Sequence, residues 1–227
     1  MINRHHQSPF DNNKMADSEP YYRHTPIDSA RGEIRVLVIP PAPAHRPVTC
    51  RVEVCCSLST TANPEYDAIS YTRLISTNDN NTSAGLEPED QKIVIVVDGA
   101  PFRVPANAAD ALHHLRRKSS PSKLMRVWIG CVCINHADPS EKARQILLMG
   151  RIYRQSCRVC VWLGTTPSCK EDLGRHPWWT RLWVVQEAAL STRLVFMYQD
   201  GGERMWRAVE KEMLQEMTGR GAEDGYL

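Results

Sequence analysis

Two apolar runs separated by one well-capped helix constrain this chain more than any other feature. Residues 125–134 (MRVWIGCVCI) and 158–163 (RVCVWL) are almost continuously apolar, the pattern of strands covered on both faces. Between them, Asp138 is placed to cap free helix amides, Pro139 suits the first helical position and Glu141 completes a capping-box pattern. The helix continues to about residue 156, with Ala143, Ile146, Leu147, Gly150 and Tyr153 at core spacing. Strand, helix and strand at this spacing make a βαβ unit with parallel pairing. Trp128, Ile129, Val132, Ile134, Val161, Trp162 and Leu163 are therefore expected to be buried in adjacent parallel strands.

The flanking sequence extends this core. Strands are expected over residues 33–39, 49–58 and 66–72, followed by a polar loop over 75–90. Asp98-Gly99 between residues 92–97 and 102–104 signals a tight hairpin. Asn107 is a candidate N-cap for a helix to about residue 118, with Ala108, Ala111, Leu112 and Leu115 on one face. Beyond Gly164, a helix is expected over 177–189, a short strand over 194–198 and a last helix over 203–218. The fold class is α/β, a parallel-sheet core flanked by helices with an added antiparallel hairpin element. Residues 1–20 read as a disordered tail, 21–218 as a single domain and 219–227 as a short flexible tail.

Composition narrows the partners. With 28 basic against 26 acidic residues the net charge is +2, which gives no electrostatic reason to expect a nucleic-acid binder. No apolar run approaches the about 20 residues that a membrane helix needs, and the N-terminus lacks the apolar core of a secretory signal. An intracellular, cytoplasmic protein is expected. Its eight cysteines should then be reduced. Most lie in strand-like runs, so packing is expected rather than zinc, even for Cys131, Cys133, Cys157 and Cys160. The phosphate-loop, dinucleotide-binding, nucleophile-elbow and zinc-protease motifs are all absent. No metal ligands and no bound cofactor are expected.

Ligands of open α/β sheets gather beyond the carboxyl ends of parallel strands. That rule selects Ser70 and Tyr71, Asn135 and His136, and Gly164 and Thr165. The segment 177–190 (PWWTRLWVVQEAAL) adds Gln186 and Glu187 to an apolar stripe begun by Trp179. A carboxylate on so apolar a helix must pair, hydrogen-bond or take up a proton. Two roles stay open for Glu187: a structural pair with Arg181, Arg151 or Arg154, or a carboxylate facing a cleft.

These segments, taken in order, resemble the fungal heterokaryon-incompatibility (HET) domain. The matching runs are YDAISY (66–71), VWIGCVCIN (127–135), Asp138 to Glu141, Gln145 with Met149, Ile152 and Tyr153, VWLG (161–164) and PWWTRLWVVQE (177–187). The resemblance covers residues 21–201. It implies a signalling or interaction module in nonself recognition and programmed cell death, with other HET-type or signalling proteins as partners and with self-association. A further, fold-level similarity to Toll/interleukin-receptor (TIR) domains implies a TIR-like core and an alternative activity, hydrolysis of NAD as substrate. Glu187 would then be catalytic, and Ser70, Tyr71, Asn135 and Gln186 would bind the ligand. The chain departs from the family at Thr72, Arg73 and Leu74, at Gly130 and at His136. Those departures imply a diverged and inactive member.

Overall fold

All six residues of β1 (Ile34–Ile39) are shielded from solvent. Each buried aliphatic side chain of this kind contributes about 1.5–3 kcal/mol. The computed structural model describes residues 21–43, 45–55, 64–72, 92–118, 124–164, 177–181, 184–191, 193–200 and 203–209. Within them lie β2 (Thr49–Cys55), β3 (Asp67–Tyr71), β4 (Ile93–Val97), β5 (Ala100–Val104), α1 (Ala106–Lys118), β6 (Met125–Ile129) and α2 (Gly130–Cys133). They are followed by α3 (Pro139–Gln155), β7 (Arg158–Trp162), a 3-10 turn (Pro177–Thr180), α4 (Val184–Ala189), β8 (Leu194–Asp200) and β9 (Glu203–Val209).

The strands form one mixed sheet in the order β5-β4-β2-β1-β6-β3-β7-β8-β9. Its centre, β6-β3-β7-β8, is parallel. β1 runs antiparallel to β6, and the β4–β5 hairpin joins through a parallel β2–β4 contact. The α/β class and the added hairpin therefore hold. At the hairpin turn Asp98 and Gly99 both take positive φ, 48° and 83°, as a two-residue turn of this sequence requires.

β6 and β7 are parallel but not adjacent, because β3 lies between them. The seven apolar residues expected to be buried there are buried. Val132, however, lies in α2, Ile134 caps the end of that helix, and Leu163 follows β7, so these three are not in strands. The strand ends at Ile129, and Cys133 Sγ accepts a hydrogen bond from the Ile129 amide at 3.4 Å. Asn107 does not cap α1, which starts one residue earlier; its side-chain amide donates to the Thr72 carbonyl at 3.0 Å. The helix expected over 177–189 is broken into the 3-10 turn and α4. The last helix expected from residue 203 is instead β9, paired with β8 from Leu194↔Val209 to Asp200↔Glu203. That register leaves Gly201-Gly202 between the strands, a favoured hairpin dipeptide. The expected tails at 1–20 and 219–227, the loop over 75–90, and Arg73, Leu74, Thr165, Cys56 and Cys169 lie outside the described residues.

Helix α3 corrects a further expectation. Asp138 caps it, accepting from the amides of Ser140 at 2.9 Å and Glu141 at 3.1 Å. Glu141 does not complete a capping box. Its Oε1 accepts from the Asn135 amide at 2.9 Å, and both its oxygens meet the fully buried Arg35 of β1, at 2.6 and 2.9 Å. The buried face of α3 is Glu141, Gln145, Met149, Ile152 and Tyr153, while Leu147 is 83% exposed. Polar anchors rotate the helix away from the face its apolar residues alone suggest. Gln145 likewise donates to Ser29 Oγ at 3.0 Å and to the Glu33 carbonyl at 2.8 Å. Residues 21–27 contact β5, α2 and β1. The Tyr22 amide donates to the Pro101 carbonyl at 3.0 Å, His24 Nε2 to the Val132 carbonyl at 2.7 Å, and Arg35 Nη2 to the Thr25 carbonyl.

Burial raises the Glu141 carboxyl pKa, but the Arg35 hydrogen bonds and charge and the Asn135 amide more than offset it, leaving the pKa lowered. A carboxyl with a depressed folded pKa stabilises the fold above its unfolded value, about 4.3, and that contribution disappears as pH falls through the folded value. Urea melts of wild type and Glu141→Gln should differ most at neutral pH. The difference should shrink below about pH 4; a gap independent of pH would exclude the ion pair as its source.

Candidate functional site

Helices α3 and α1 pack on opposite faces of the parallel strands. Ser70 shares a face with Ala68 and its register partner Trp128. The Trp128 ring meets Tyr153 of α3 edge-on at 5.5 Å on that face. Tyr71 points the other way with its partner Trp162, whose ring lies 5.1 Å from His114 of α1. Ligands of open α/β sheets gather at the carboxyl ends of the parallel strands, and Ser70 stands at that end of β3.

This end is filled by a buried side-chain cluster. The carboxylate of Glu187 on α4 is 1% exposed and has four donors. Ser70 Oγ donates to its Oε2 at 2.5 Å, and Tyr153 Oη to its Oε1 at 3.2 Å. Arg181 forks onto both oxygens, Nη1 to Oε2 at 2.9 Å and Nη2 to Oε1 at 3.1 Å. The hydroxyl of Ser70 also accepts from Trp178 Nε1 at 2.5 Å and from Arg181 Nη1 at 3.0 Å. With both acceptor directions taken, its own proton is committed to Glu187. Burial first, and then the Glu187 charge, raise the Tyr153 phenol well above its ordinary value, so it acts as a neutral donor. Of the partners open to Glu187 from the sequence, Arg181 is the one in place.

The break between the 3-10 turn and α4 makes this possible. Arg181 follows the turn, its amide bonded to the Trp178 carbonyl at 3.3 Å, and the Val184 amide returns to the Arg181 carbonyl at 3.3 Å. In one continuous helix, residues six apart do not face each other. Here Arg181 lies outside α4, and both its terminal nitrogens reach Glu187.

The remaining candidates are placed elsewhere. Tyr71 is buried on the opposite face. Asn135 belongs to the Arg35–Glu141 cluster: its amide donates to Glu141, and its Oδ1 accepts from the Ala137 amide at 3.2 Å. Glu141 and Tyr153 are separated by twelve residues of α3, about 18 Å of helix rise. Gln186 lies on α4, but its side chain is outside the described residues. Ser70 therefore meets Glu187, whereas Tyr71 and Asn135 do not. Tyr153 and Trp178 complete the cluster and were not singled out as site residues in the sequence. Their only signal is a polar tip on an otherwise apolar position.

The described cysteines carry free thiols, and the pKa values of Cys50 and Cys160 are pushed up to about 12, chiefly by burial. Among the described residues no group of three or more His, Cys, Asp or Glu converges as a metal site. No helix among them is long and apolar enough to cross a membrane.

An α/β sheet closed at its strand ends by a buried Arg–Glu clasp is the class this geometry defines. Residues 66–171 match the family model described as heterokaryon incompatibility protein (HET). The chain is 32% identical over 124 residues to heterokaryon incompatibility protein 6, OR allele, of Neurospora crassa, across 52% of this chain and 18% of that protein. Over residues 66–171 the chain is thus similar to HET domains. It aligns with less than a fifth of that relative's length. No solved structure matches.

Arg181→Ala would strand a carboxylate that is 1% exposed, whereas Glu187→Ala leaves a guanidinium already 26% exposed and able to turn to water. The first should cost about 3–5 kcal/mol and the second less. The double variant should cost less than the sum of the two. Denaturant melts of the three variants check the order; equal single costs that add would dissolve the clasp as a unit.

Proposed function

We propose that this chain is a signalling and interaction module of fungal heterokaryon incompatibility, acting in nonself recognition and programmed cell death. The observation that carries the reading is the closed state of the Glu187 carboxylate, engaged by Arg181, Ser70 and Tyr153 with no oxygen left to a substrate. A bidentate guanidinium fixes a carboxylate in a structural role. The name of the Neurospora crassa relative supports the same direction. The module would act in the cytoplasm through other HET-type or signalling proteins and through self-association, without nucleic acid, membrane or cofactor.

The alternative is a TIR-like NAD-hydrolysing enzyme that uses Glu187. Its support is the position of Glu187 beside Ser70 at the carboxyl end of β3. It requires Arg181 to leave first, and Tyr71 and Asn135 would take no part at that carboxylate. One pair of measurements separates the readings. Purified chain is incubated with NAD, and the same chain is expressed inducibly in a fungal host. Arrested growth with no NAD consumption is the expected result. Consumption that Glu187→Gln abolishes would overturn the module reading in favour of the enzyme, and unimpaired growth would remove the incompatibility role.

A further inference from the structure

The donors and acceptors around Glu187 define what the site accepts. Its carboxylate is buried and hydrogen-bonded by two neutral hydroxyls, Ser70 and Tyr153. An anion so placed needs a cation for compensation. The side of the carboxylate that Arg181 occupies presents Oε1 and Oε2 together, and Ser70 Oγ lies beside Oε2 as a third acceptor, all within 3.1 Å of one planar group. Trp178 Nε1 holds the Ser70 hydroxyl from behind, which fixes the direction of its remaining acceptor. Three acceptors in a fork match a guanidinium, whereas an ammonium ion is a compact charge without that planar geometry.

From this arrangement we infer that Ser70, Tyr153, Trp178 and Glu187 form a receptor for a guanidinium group, and that Arg181 is its tethered occupant. The ligand class is an alkylguanidinium, the head group of an arginine side chain. Within the charged pair Arg181 is the partner that solvent reaches, 26% exposed against 1% for Glu187. Exchange therefore proceeds by Arg181 turning outward while another guanidinium enters. The intramolecular occupant has the advantage of high effective concentration. A free guanidinium ion does not displace it, but an arginine presented by a docked protein partner does, because the other contacts of that partner supply the difference. The biological occupant rests on the interaction-module reading; the receptor chemistry does not.

The test removes the tether. Arg181→Ala is titrated with methylguanidinium chloride below denaturing concentrations, with tetramethylammonium chloride at equal ionic strength as control and thermal midpoint as readout. The expected result is a saturable rise of the midpoint toward that of wild type with methylguanidinium alone. Wild type, with its site filled, shows no such rise. If Arg181→Ala does not fold unaided, the soluble refolding yield with each salt reads the same outcome. No rescue, or equal rescue by both salts, would overturn the receptor. Either result leaves the incompatibility reading to stand or fall on growth of the fungal host, so the two failures are distinguishable.

Discussion

A carboxylate withdrawn from water must meet a cation or take up a proton, and among the described residues an arginine fork meets that constraint twice. Arg35 forks onto Glu141, and Arg181 forks onto Glu187. In both, the carboxylate also takes donors from the surrounding fold: the Asn135 amide in one, the Ser70 and Tyr153 hydroxyls in the other. A buried pair of this kind is weak as a source of net stability, since desolvation offsets the attraction. Its strength is exclusion. Any packing that separates the partners leaves a buried charge alone, so each pair admits one arrangement of the segments it joins.

That exclusion explains which expectations from the sequence held and which did not. Elements governed by local chemistry were legible. Asp98-Gly99 makes its turn, Asp138 caps α3, and the runs at β1, β6 and β7 form buried strands. Elements governed by distant partners were not. Glu141 has the right spacing for a capping box, but Arg35, 106 residues earlier, holds it instead. The face of α3 follows Glu141 and Gln145 rather than Leu147, and no helical periodicity of apolar residues contains that information. The final strand was a different failure. Residues 203–209 are helix-compatible by composition, and their pairing with β8 overrides that preference.

The site was legible in part for the same reason. Chain position at strand ends pointed to Ser70, and an apolar helix bearing one acid pointed to Glu187; the two meet at 2.5 Å. Strand alternation sends Tyr71 to the opposite face although it is the next residue. Asn135 fails because α2 turns the chain after β6 and carries it to the Arg35–Glu141 cluster. Position along the sequence selected the right end of the sheet, but only pairing selected the members.

Both clasps converge on α3. Glu141 in its first turn takes Arg35 from β1, and Tyr153 near its last turn donates to Glu187 on α4. The family-matched stretch, residues 66–171, contains Ser70, Glu141 and Tyr153 but neither arginine. The N-terminal strand β1 supplies the cation for one end of α3, and the C-terminal segment from the 3-10 turn through α4 supplies Trp178, Arg181 and Glu187 for the other. The matched stretch alone would leave Glu141 a buried anion without its guanidinium and the hydroxyls of Ser70 and Tyr153 without their shared acceptor. The cooperative unit is therefore wider than the similar sequence.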